Sequence, residues 1–353
     1  MIDSQANPQN TKIALWLFIC CALIFIMVVL GGVTRLTRSG LSMVEWAPIM
    51  GVIPPLNESQ WQATFKKYRQ FPEYQDINRG MTLGEFKSIY WVEYAHRMLG
   101  RLIALAFVLP FLYFLMRRRL ARSLIPKLVM MFVLGGLQGL LGWFMVKSGL
   151  IDEPHVSPYR LTAHLAMAAV IYGYILWVAL GLLFPEPENT KPDARPIRRF
   201  GLLVTASICL MILSGGFVAG TKAGFAFNTF PLMNGRFVPE GMISLMPLWR
   251  NFFENIATVQ FDHRLLAYFL CVLVPIFSFR SSRVVLHRRA RLASHALLVV
   301  LVLQVSLGIA TLLLAVPVPL AASHQAGALV VFTVALFINH ELRRGPEQPA
   351  SVS

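Results

Sequence analysis

Eight apolar stretches divide the chain, and polar segments separate them. Each stretch holds about 20 residues, which as a helix span about 30 Å, the thickness of the hydrocarbon core of a membrane. The pattern therefore predicts an all-α polytopic membrane protein with eight transmembrane helices. The predicted spans are 13–32, 90–116, 126–146, 160–184, 200–219, 259–279, 292–314 and 320–340.

Composition and charge support this prediction and add an orientation. Hydrophobic residues make up 56% of the 353-residue chain, and charged residues make up only 14%. The net charge of +15 comes from Lys and Arg that collect in the loops after spans two, four and six and at the C-terminal end. Basic residues near helix ends resist translocation, so these loops and both termini are predicted to be cytoplasmic. We interpret the charge as topology and contact with anionic membrane lipid, because no basic segment has the interleaved aromatic residues of a nucleic-acid groove.

The start of the chain and the cysteines bear on the compartment. Residues 1–11 contain no basic stretch and no Arg-rich presequence, so the first span is predicted to be an uncleaved anchor. This favours a bacterial cytoplasmic (inner) membrane over an organelle. The four cysteines lie inside apolar spans, where they are predicted to be buried small residues without a disulfide or metal role.

The second half of the chain repeats the first. The matched segments are GGVTRLTRSGLSMVEWAP (31–48) with GGFVAGTKAGFAFNTFP (215–231), EYAHRMLGRLIAL (93–105) with QFDHRLLAYFLCV (260–272), LQGLLGWFMVKSGL (137–150) with LQVSLGIATLLLAV (303–316), and LTAHLAMAAVIYG (161–173) with AASHQAGALVVFT (321–333). We predict two pseudo-symmetric four-helix bundles, 1–184 and 200–353, joined by a cytoplasmic linker at 185–199. Because each half has an even number of crossings, the repeats are parallel, which argues against a transporter built from inverted repeats.

A long segment at 33–88 is predicted to be an extracytoplasmic loop. Within it, Trp61, Phe65 and Tyr68 fall on one face of a short amphipathic helix. We expect this helix to lie at the membrane interface as a cover over the first bundle.

Four of the eight histidines recur at matched positions of the two halves. They are His96, His164, His263 and His324, each predicted to lie one or two turns into an even-numbered span, counted from the extracytoplasmic side. An ionisable side chain inside a membrane is costly and marks a functional site by default. Two imidazoles on facing helices suit axial ligation of a haem iron, whereas zinc needs four ligands. The pattern thus predicts one haem position in each bundle.

Further polar residues surround these positions. Arg97 and Arg264 directly follow the first histidine of each half, and Arg160 lies one turn before the second histidine of the first half. Each guanidinium is predicted to pair with a haem propionate near the membrane surface. The histidines without a repeat partner, predicted to be solvated or interfacial, are His155, His287, His295 and His340.

One position breaks the repeat where chemistry would depend on it. Glu93 precedes His96 by three residues and shares its helical face, whereas the matched residue of the second half is Gln260. A carboxylate beside a porphyrin can take a proton or stabilise positive charge, and an amide can only form hydrogen bonds. The asymmetry predicts chemistry in the first bundle and a resident redox haem in the second. The alternative is that Glu93 is only a helix-start residue favoured by the helix dipole.

Together these motifs resemble the haem A synthase family, CtaA/Cox15. The resemblance rests on GGVTRLTRSGLSMVEWAP, EYAHRMLGR, RLTAH, FDHRLLAY and ASHQAG, and it extends over nearly the whole chain. It implies oxidation of the methyl group at position 8 of haem O to the formyl group of haem A, through a hydroxymethyl group and a gem-diol. It also implies that His263 and His324 ligate haem b. The substrate haem would lie between His96 and His164, with Glu93 essential.

The resemblance further implies that haem O synthase delivers the substrate and that cytochrome c oxidase assembly uses the product. It leaves the electron acceptor open, with a quinone as one candidate, and it leaves homo-oligomer formation open. The residues alone also allow a b-type bis-histidine electron-transfer cytochrome or a transporter of haem or another hydrophobic compound. The cytochrome would not need the Glu93 asymmetry, and the transporter would not need four histidines at one depth.

Overall fold

The computed structural model of the protein describes residues 8–45, 50–149, 156–185 and 195–343. Across these ranges the regular secondary structure is helical, without a β-strand. Eight of the helices, all except α2 and α7, are long and apolar enough to cross a membrane, judged by length and composition. The prediction of an all-α protein with eight transmembrane helices is confirmed. The α-helices are α1 (Pro8–Leu36), α2 (Glu58–Tyr68), α3 (Leu83–Met116), α4 (Ile125–Gly149), α5 (Pro158–Leu183), α6 (Arg195–Gly220), α7 (Asn251–Glu254), α8 (Ile256–Ser282), α9 (Arg288–Leu313) and α10 (Val318–Glu341).

The helices extend past the predicted spans, most clearly at the start of α3. Thr82 caps this helix: its hydroxyl accepts a hydrogen bond from the backbone N–H of Glu85, and the Glu85 carboxylate accepts one from the Thr82 N–H at 2.7 Å. This capping box satisfies N–H groups that a first helical turn leaves without partners. Helix α6 begins inside the expected linker, so residues 195–199 are helical, while 186–194 lie outside the described residues.

The two halves pack in the same manner. In the first half α1 packs against α3 and α5, and α4 packs against α5. In the second half α6 packs against α8 and α10, and α9 packs against α10. The halves meet where α5 contacts α6 and where α1 contacts α10. The result is two four-helix units with matched neighbours, side by side.

Glycines allow the halves to approach each other closely. A Cβ at Gly216 would lie 2.9 Å from Oγ1 of Thr162, and a Cβ at the matched Gly32 would overlap the side chain of Gln325. Lipid gives helices no hydrophobic reason to associate, so close contact at small residues stabilises such an interface. The Gln325 amide also donates a hydrogen bond to the carbonyl oxygen of Val28 at 2.7 Å, which joins α10 to α1.

An aromatic cover, residues 58–78, lies against the N-terminal end of α3. It consists of α2 and the single π-helical turn Glu73–Ile77. Trp61, Phe65 and Tyr68 are buried on one face of α2, so the predicted amphipathic helix is confirmed. The cluster that they form, separate from the core between the spans, also contains Met43, Phe86 and Tyr90.

Candidate functional site

The first histidine of each half lies against a glycine of the first helix of that half. A Cβ at Gly31 of α1 would lie 3.2 Å from Cε1 of His96 in α3. A Cβ at Gly215 of α6 would lie 3.5 Å from Cε1 of His263 in α8. The absence of a side chain at these glycines lets each imidazole ring lie beside helix backbone.

The second histidine of each half lies against a glycine of the third membrane span of that half. A Cβ at Gly142 of α4 would lie 2.9 Å from Cε1 of His164 in α5, and a Cβ at Gly308 of α9 would lie 2.8 Å from Cε1 of His324 in α10. At these distances an alanine would force the imidazole ring to move. All four histidines therefore occupy niches that glycine creates, two niches in each half.

Within each half the two histidines are near neighbours. His96 interacts electrostatically with His164, and His263 does so with His324. His164 and His324 each come six residues after the first residue of their helix, and His263 comes seven. The prediction of one or two turns is wrong only for His96, which lies more than three turns into α3 because that helix begins beside the cover.

Hydrogen bonds orient both imidazoles of the second half through Nδ1. The hydroxyl of Ser214 lies 3.1 Å from Nδ1 of His263, and Nδ1 of His324 lies 3.2 Å from the carbonyl oxygen of Gln304. A histidine that is bonded at Nδ1 has its tautomer and ring orientation set, which leaves Nε2 for a metal.

The first half lacks these Nδ1 contacts. Nδ1 of His96 and Nδ1 of His164 are buried without a hydrogen-bond partner. The amide of Gln138 donates to the carbonyl oxygen of His164 at 3.1 Å, as Gln304 donates to that of His324 at 2.8 Å. The two halves thus share the placement of their histidines but differ in what fixes the rings.

Two imidazoles in each half fit a haem better than a bare metal ion. Within the described residues, no three His, Cys, Asp or Glu side chains gather as a metal site. A porphyrin itself supplies four nitrogens to iron, so two axial imidazoles complete the coordination. In the first half the amide nitrogen of Gln138 lies 3.5 Å from Nε2 of His164, the atom that a haem iron would take, so this contact would have to give way to the iron.

Glu93 is buried, and its carboxylate accepts four hydrogen bonds. Oε2 accepts from the hydroxyl of Ser42 at 2.7 Å and from the backbone N–H of Met43 at 2.8 Å. Oε1 accepts from Nη2 and Nε of Arg97, at 2.6 Å and 3.0 Å. Glu93 thereby joins the segment between α1 and α2 to α3, one turn from His96. It lies ten residues after the first residue of α3, so the helix-start alternative is wrong.

Arg97 and Arg264 bind matched carbonyl groups of their loops. Nη2 of Arg97 donates to the carbonyl oxygen of Met43, and Nη2 of Arg264 donates to that of Phe227, both at 2.8 Å. Met43 and Phe227 occupy the same position of the repeat. Both guanidinium groups therefore attach the segment that follows the first span of their half to the second span. Their contact with a haem propionate stays a prediction.

Gln260, which takes the place of Glu93 in the second half, makes a weaker attachment. Its amide nitrogen donates to the carbonyl oxygen of Phe227 at 3.3 Å, and its Oε1 is buried without a partner. The loop of the second half is thus held by a neutral amide where the first half uses an ion pair.

Arg160 lies one turn before His164, near the N-terminal end of α5. Its guanidinium stacks over the ring of Phe144, with 4.8 Å between its central carbon and the ring centroid. Arg160 therefore spans α4 and α5 beside the first histidine pair, and its contact with a propionate also stays a prediction.

A second buried carboxyl group, Glu73, lies in the cover. Only 5% of Glu73 is exposed, and its Oε2 has no hydrogen-bond partner. Burial and the negative charge of Glu93 raise the pKa of Glu73 to about 8, while a hydrogen bond with Tyr68 and the charge of Arg38 act in the opposite direction. Sequence reasoning missed Glu73, because it is one of many polar residues in a loop.

The prediction for the remaining histidines is wrong for His340. Only 1% of His340 is exposed, and its ring meets that of Trp177 edge-on at 5.2 Å, because the end of α10 packs into the core beside α5. His287 and His295 are exposed, as predicted. His155 lies outside the described residues.

Comparison with known proteins bears on the whole chain. Residues 14–336 match the model of the COX15-CtaA family, described as cytochrome oxidase assembly protein. A protein named heme A synthase from Nitrosospira multiformis is 57% identical over 352 residues, which cover 97% of this chain and 99% of that protein. One of the same name from Nitrosomonas eutropha is 52% identical over 97% of this chain and 96% of its own length. Heme A synthase COX15 of Bos taurus is 46% identical over 98% of this chain and 86% of its own length. The resemblance seen in the motifs is confirmed, and the chain belongs to the COX15-CtaA family of cytochrome oxidase assembly proteins.

Proposed function

We propose that this protein is a haem A synthase, an oxidoreductase that converts the methyl group at position 8 of haem O into the formyl group of haem A for terminal oxidases. The observation that carries the proposal is a pair of matched histidine sites of which one alone, in the described chain, has a buried carboxylate beside it. Two equivalent sites would suit a b-type cytochrome, and a transporter needs neither pair. Identity with haem A synthases over nearly the full length supports the synthase over both alternatives.

We assign haem b to His263 and His324, and the substrate haem to His96 and His164. The Nδ1 hydrogen bonds of the second half support this order, because rings held in one orientation suit a cofactor that stays bound. The rings of the first half have no such bond, which suits a ligand that enters as haem O and leaves as haem A. Residues 1–184 would then be the catalytic half and residues 200–353 the haem b half.

Haem b, when bound, supplies one-electron redox chemistry. The residues of the first half position the substrate and manage its protons. Glu93 holds residues 42 and 43 of the loop beside the histidine pair through Oε2, while Oε1 stays bound to Arg97. A proton released during methyl oxidation can be held on Oε2, because the hydroxyl of Ser42 can turn from donor to acceptor; the charge of the carboxylate is then neutralised, while Oε1 still accepts hydrogen bonds from Arg97.

The position in the membrane follows from the charge pattern. The basic loops support a multi-pass protein of a bacterial cytoplasmic membrane with both termini in the cytoplasm. The expected partners are a haem O synthase that supplies the substrate and the assembly factors of cytochrome c oxidase. A quinone is our candidate for the electron acceptor.

The haem content of the detergent-purified protein tests the function. Pyridine haemochrome spectra and chromatography should find haem b together with haem O, a hydroxylated haem or haem A. Two haem b per chain would contradict the synthase in favour of a cytochrome, and a protein without haem would contradict both.

His263→Ala tests the assignment of the second half. We expect this variant to lose the low-spin haem b absorbance, because one axial ligand is missing. His295→Ala, at an exposed position of α9, is the matched control and should keep the wild-type spectrum. A full haem b spectrum in His263→Ala would place the ligands elsewhere.

A further inference from the structure

Helices α1 and α6 end side by side at the extracytoplasmic surface. The guanidinium of Arg35, in the last turn of α1, donates a hydrogen bond to the carbonyl oxygen of Ala219 near the end of α6. Arg35 and Ala219 occupy the same position of the repeat. The ends of the two helices therefore meet at the axis that relates the halves.

Two further cations follow at matched positions just past these helix ends. Arg38 belongs to the segment TRSG and Lys222 to the matched segment TKAG. Both residues have left-handed backbone conformations, with φ of 53° and 58°. This conformation costs a residue other than glycine about 1–2 kcal/mol. Both halves nevertheless have the same unusual turn, with a cation at its centre.

The cations of the two halves face one another. Burial lowers the pKa of Lys222, and the nearby charges of Arg38 and Arg35 lower it further. Within the described chain, none of the three forms a salt bridge, although the carboxyl group of Glu73 lies within electrostatic range of Arg38. Like charges brought together in this way repel, so an anion between them would relieve the repulsion.

The same cations are in register with the histidine sites. Arg38 comes seven residues after Gly31, the glycine against His96. Lys222 comes seven residues after Gly215, the glycine against His263. Within α1, Arg35 comes four residues, about one helical turn, after Gly31, so the two residues lie on nearly the same face of the helix. Arg38 and Lys222 each come two residues after the last residue of α1 or α6, so both cations lie past the helix ends, beyond the histidine niches.

We propose that Arg35, Arg38 and Lys222 form one anion site between the halves, which binds the carboxylates at the edge of a porphyrin held by the histidines. The site deepens the proposed function and rests on it. The sequence predicts that Arg97 and Arg264 bind the haem propionates, but both already donate to loop carbonyl groups. The cluster between the halves supplies cations whose hydrogen-bonding capacity is less committed.

The test measures the binding of two porphyrins to the haem-depleted, full-length protein in detergent. Iron protoporphyrin has two carboxylates, and its dimethyl ester has none. We expect the wild type to prefer the free acid. In the double variant with Arg38→Met and Lys222→Met, the affinity for the free acid should fall about tenfold while that for the ester is unchanged, since both side chains are exposed and each exposed ion pair contributes about threefold.

Two controls accompany this measurement. Arg79→Met removes an exposed cation from the same extracytoplasmic side and should bind both porphyrins as the wild type does. The exchange of the two cations, Arg38→Lys with Lys222→Arg, keeps the charge and should keep the preference for the free acid.

Three results would overturn the site. The first is an unchanged preference of the double variant for the free acid, and the second is an equal loss of affinity for both porphyrins. The third is a double variant that loses a co-purified anionic phospholipid but keeps its preference for the free acid, which would assign the cations to a lipid headgroup. Failure of the proposed function looks different, because the wild type itself would then bind neither porphyrin through its histidines.

Discussion

Replacing Glu93 by glutamine removes the charge that joins the segment between α1 and α2 to α3. Four donors, from Ser42, Met43 and Arg97, converge on the two oxygens of the carboxylate. Glutamine offers one oxygen and an amide group that itself donates. At least one pair of donors would therefore face each other, and the guanidinium would have no countercharge.

The cost of this change follows from the burial of the pair. Only 14% of the Arg97 side chain and 4% of the Glu93 side chain are exposed. Removing one partner of a buried ion pair costs about 3–5 kcal/mol, because the other charge is left without compensation. Each 1.4 kcal/mol is tenfold in an equilibrium constant, so 3 kcal/mol corresponds to an increase of about a hundredfold in opening of this attachment.

Hydrogen exchange and haem analysis measure the two consequences separately. In Glu93→Gln, the backbone amide of Met43 should exchange about a hundredfold faster, because the weakened attachment of this residue to α3 opens more often. Haem b should stay bound, and cells supplied with haem O should form no haem A. The matched control is Gln260→Ala, which removes a single 3.3 Å hydrogen bond from the equivalent position and should leave haem A formation near normal.

Different outcomes refute different parts of this reasoning. Normal haem A formation in Glu93→Gln would refute the assignment of Glu93 to the reaction. Unchanged exchange at Met43 would refute the energetic argument, whatever happens to haem A. Ser42→Ala separates the two roles, because it keeps the carboxylate and the ion pair and removes one donor. We expect it to raise exchange only several-fold and to slow haem A formation without stopping it.

Two further predictions concern the cover and the glycine niches. The pKa of Glu73 is raised from 4.5 to about 8, so the folded cover binds this proton more tightly than an opened cover does. The free energy of opening should therefore fall as the pH rises from about 4.5 to 8, by roughly 4–5 kcal/mol at most. At higher pH it should stay constant. Glu73→Gln should abolish this pH dependence, and at pH 8.5 the backbone amides of its residues 58–78 should exchange more slowly than those of the wild type. Asp76→Asn, at an exposed position, should keep the pH dependence. Equal pH profiles for Glu73→Gln and the wild type would contradict the argument. Gly142→Ala should displace His164 and reduce haem A formation about tenfold while haem b is kept. Gly139→Ala, whose Cβ meets no atom within 4 Å, should have no effect. Equal activities of these two variants would show that the niche is not needed.

The sequence was sufficient for the fold class, and its repeat singled out the four histidines that the structure brings together in pairs. Apolar length predicts membrane spans because the membrane sets that length directly. The repeat separated His96 and His263 from His295, since a ligand that both halves need appears twice. The histidine-facing glycines were also within reach, because Gly142 and Gly308 stand at the same place in matched segments.

Other parts of the site depend on contacts that a linear pattern does not carry. Ser42 and Met43 reach Glu93 from 51 and 50 residues away, across a loop without regular periodicity. The depth of His96 in α3 changed because a polar capping box, outside the apolar pattern, starts that helix earlier. His340 was misplaced for a related reason: its position near a helix end indicated solvent, but tertiary packing around α10 buried it.

The common depth of the histidine pairs has an electrical consequence. Three of the four histidines lie six or seven residues into their helices, and His96 rests against the glycine matched to that of His263, so all four lie at similar height. A charge that crosses the whole membrane does work of about 2.3 kcal/mol per 100 mV of transmembrane potential, whereas a charge that moves along the membrane plane does none. With haems bound at these positions, as we propose, an electron that passed between them would move along the membrane plane, and its transfer would neither use nor oppose a transmembrane potential.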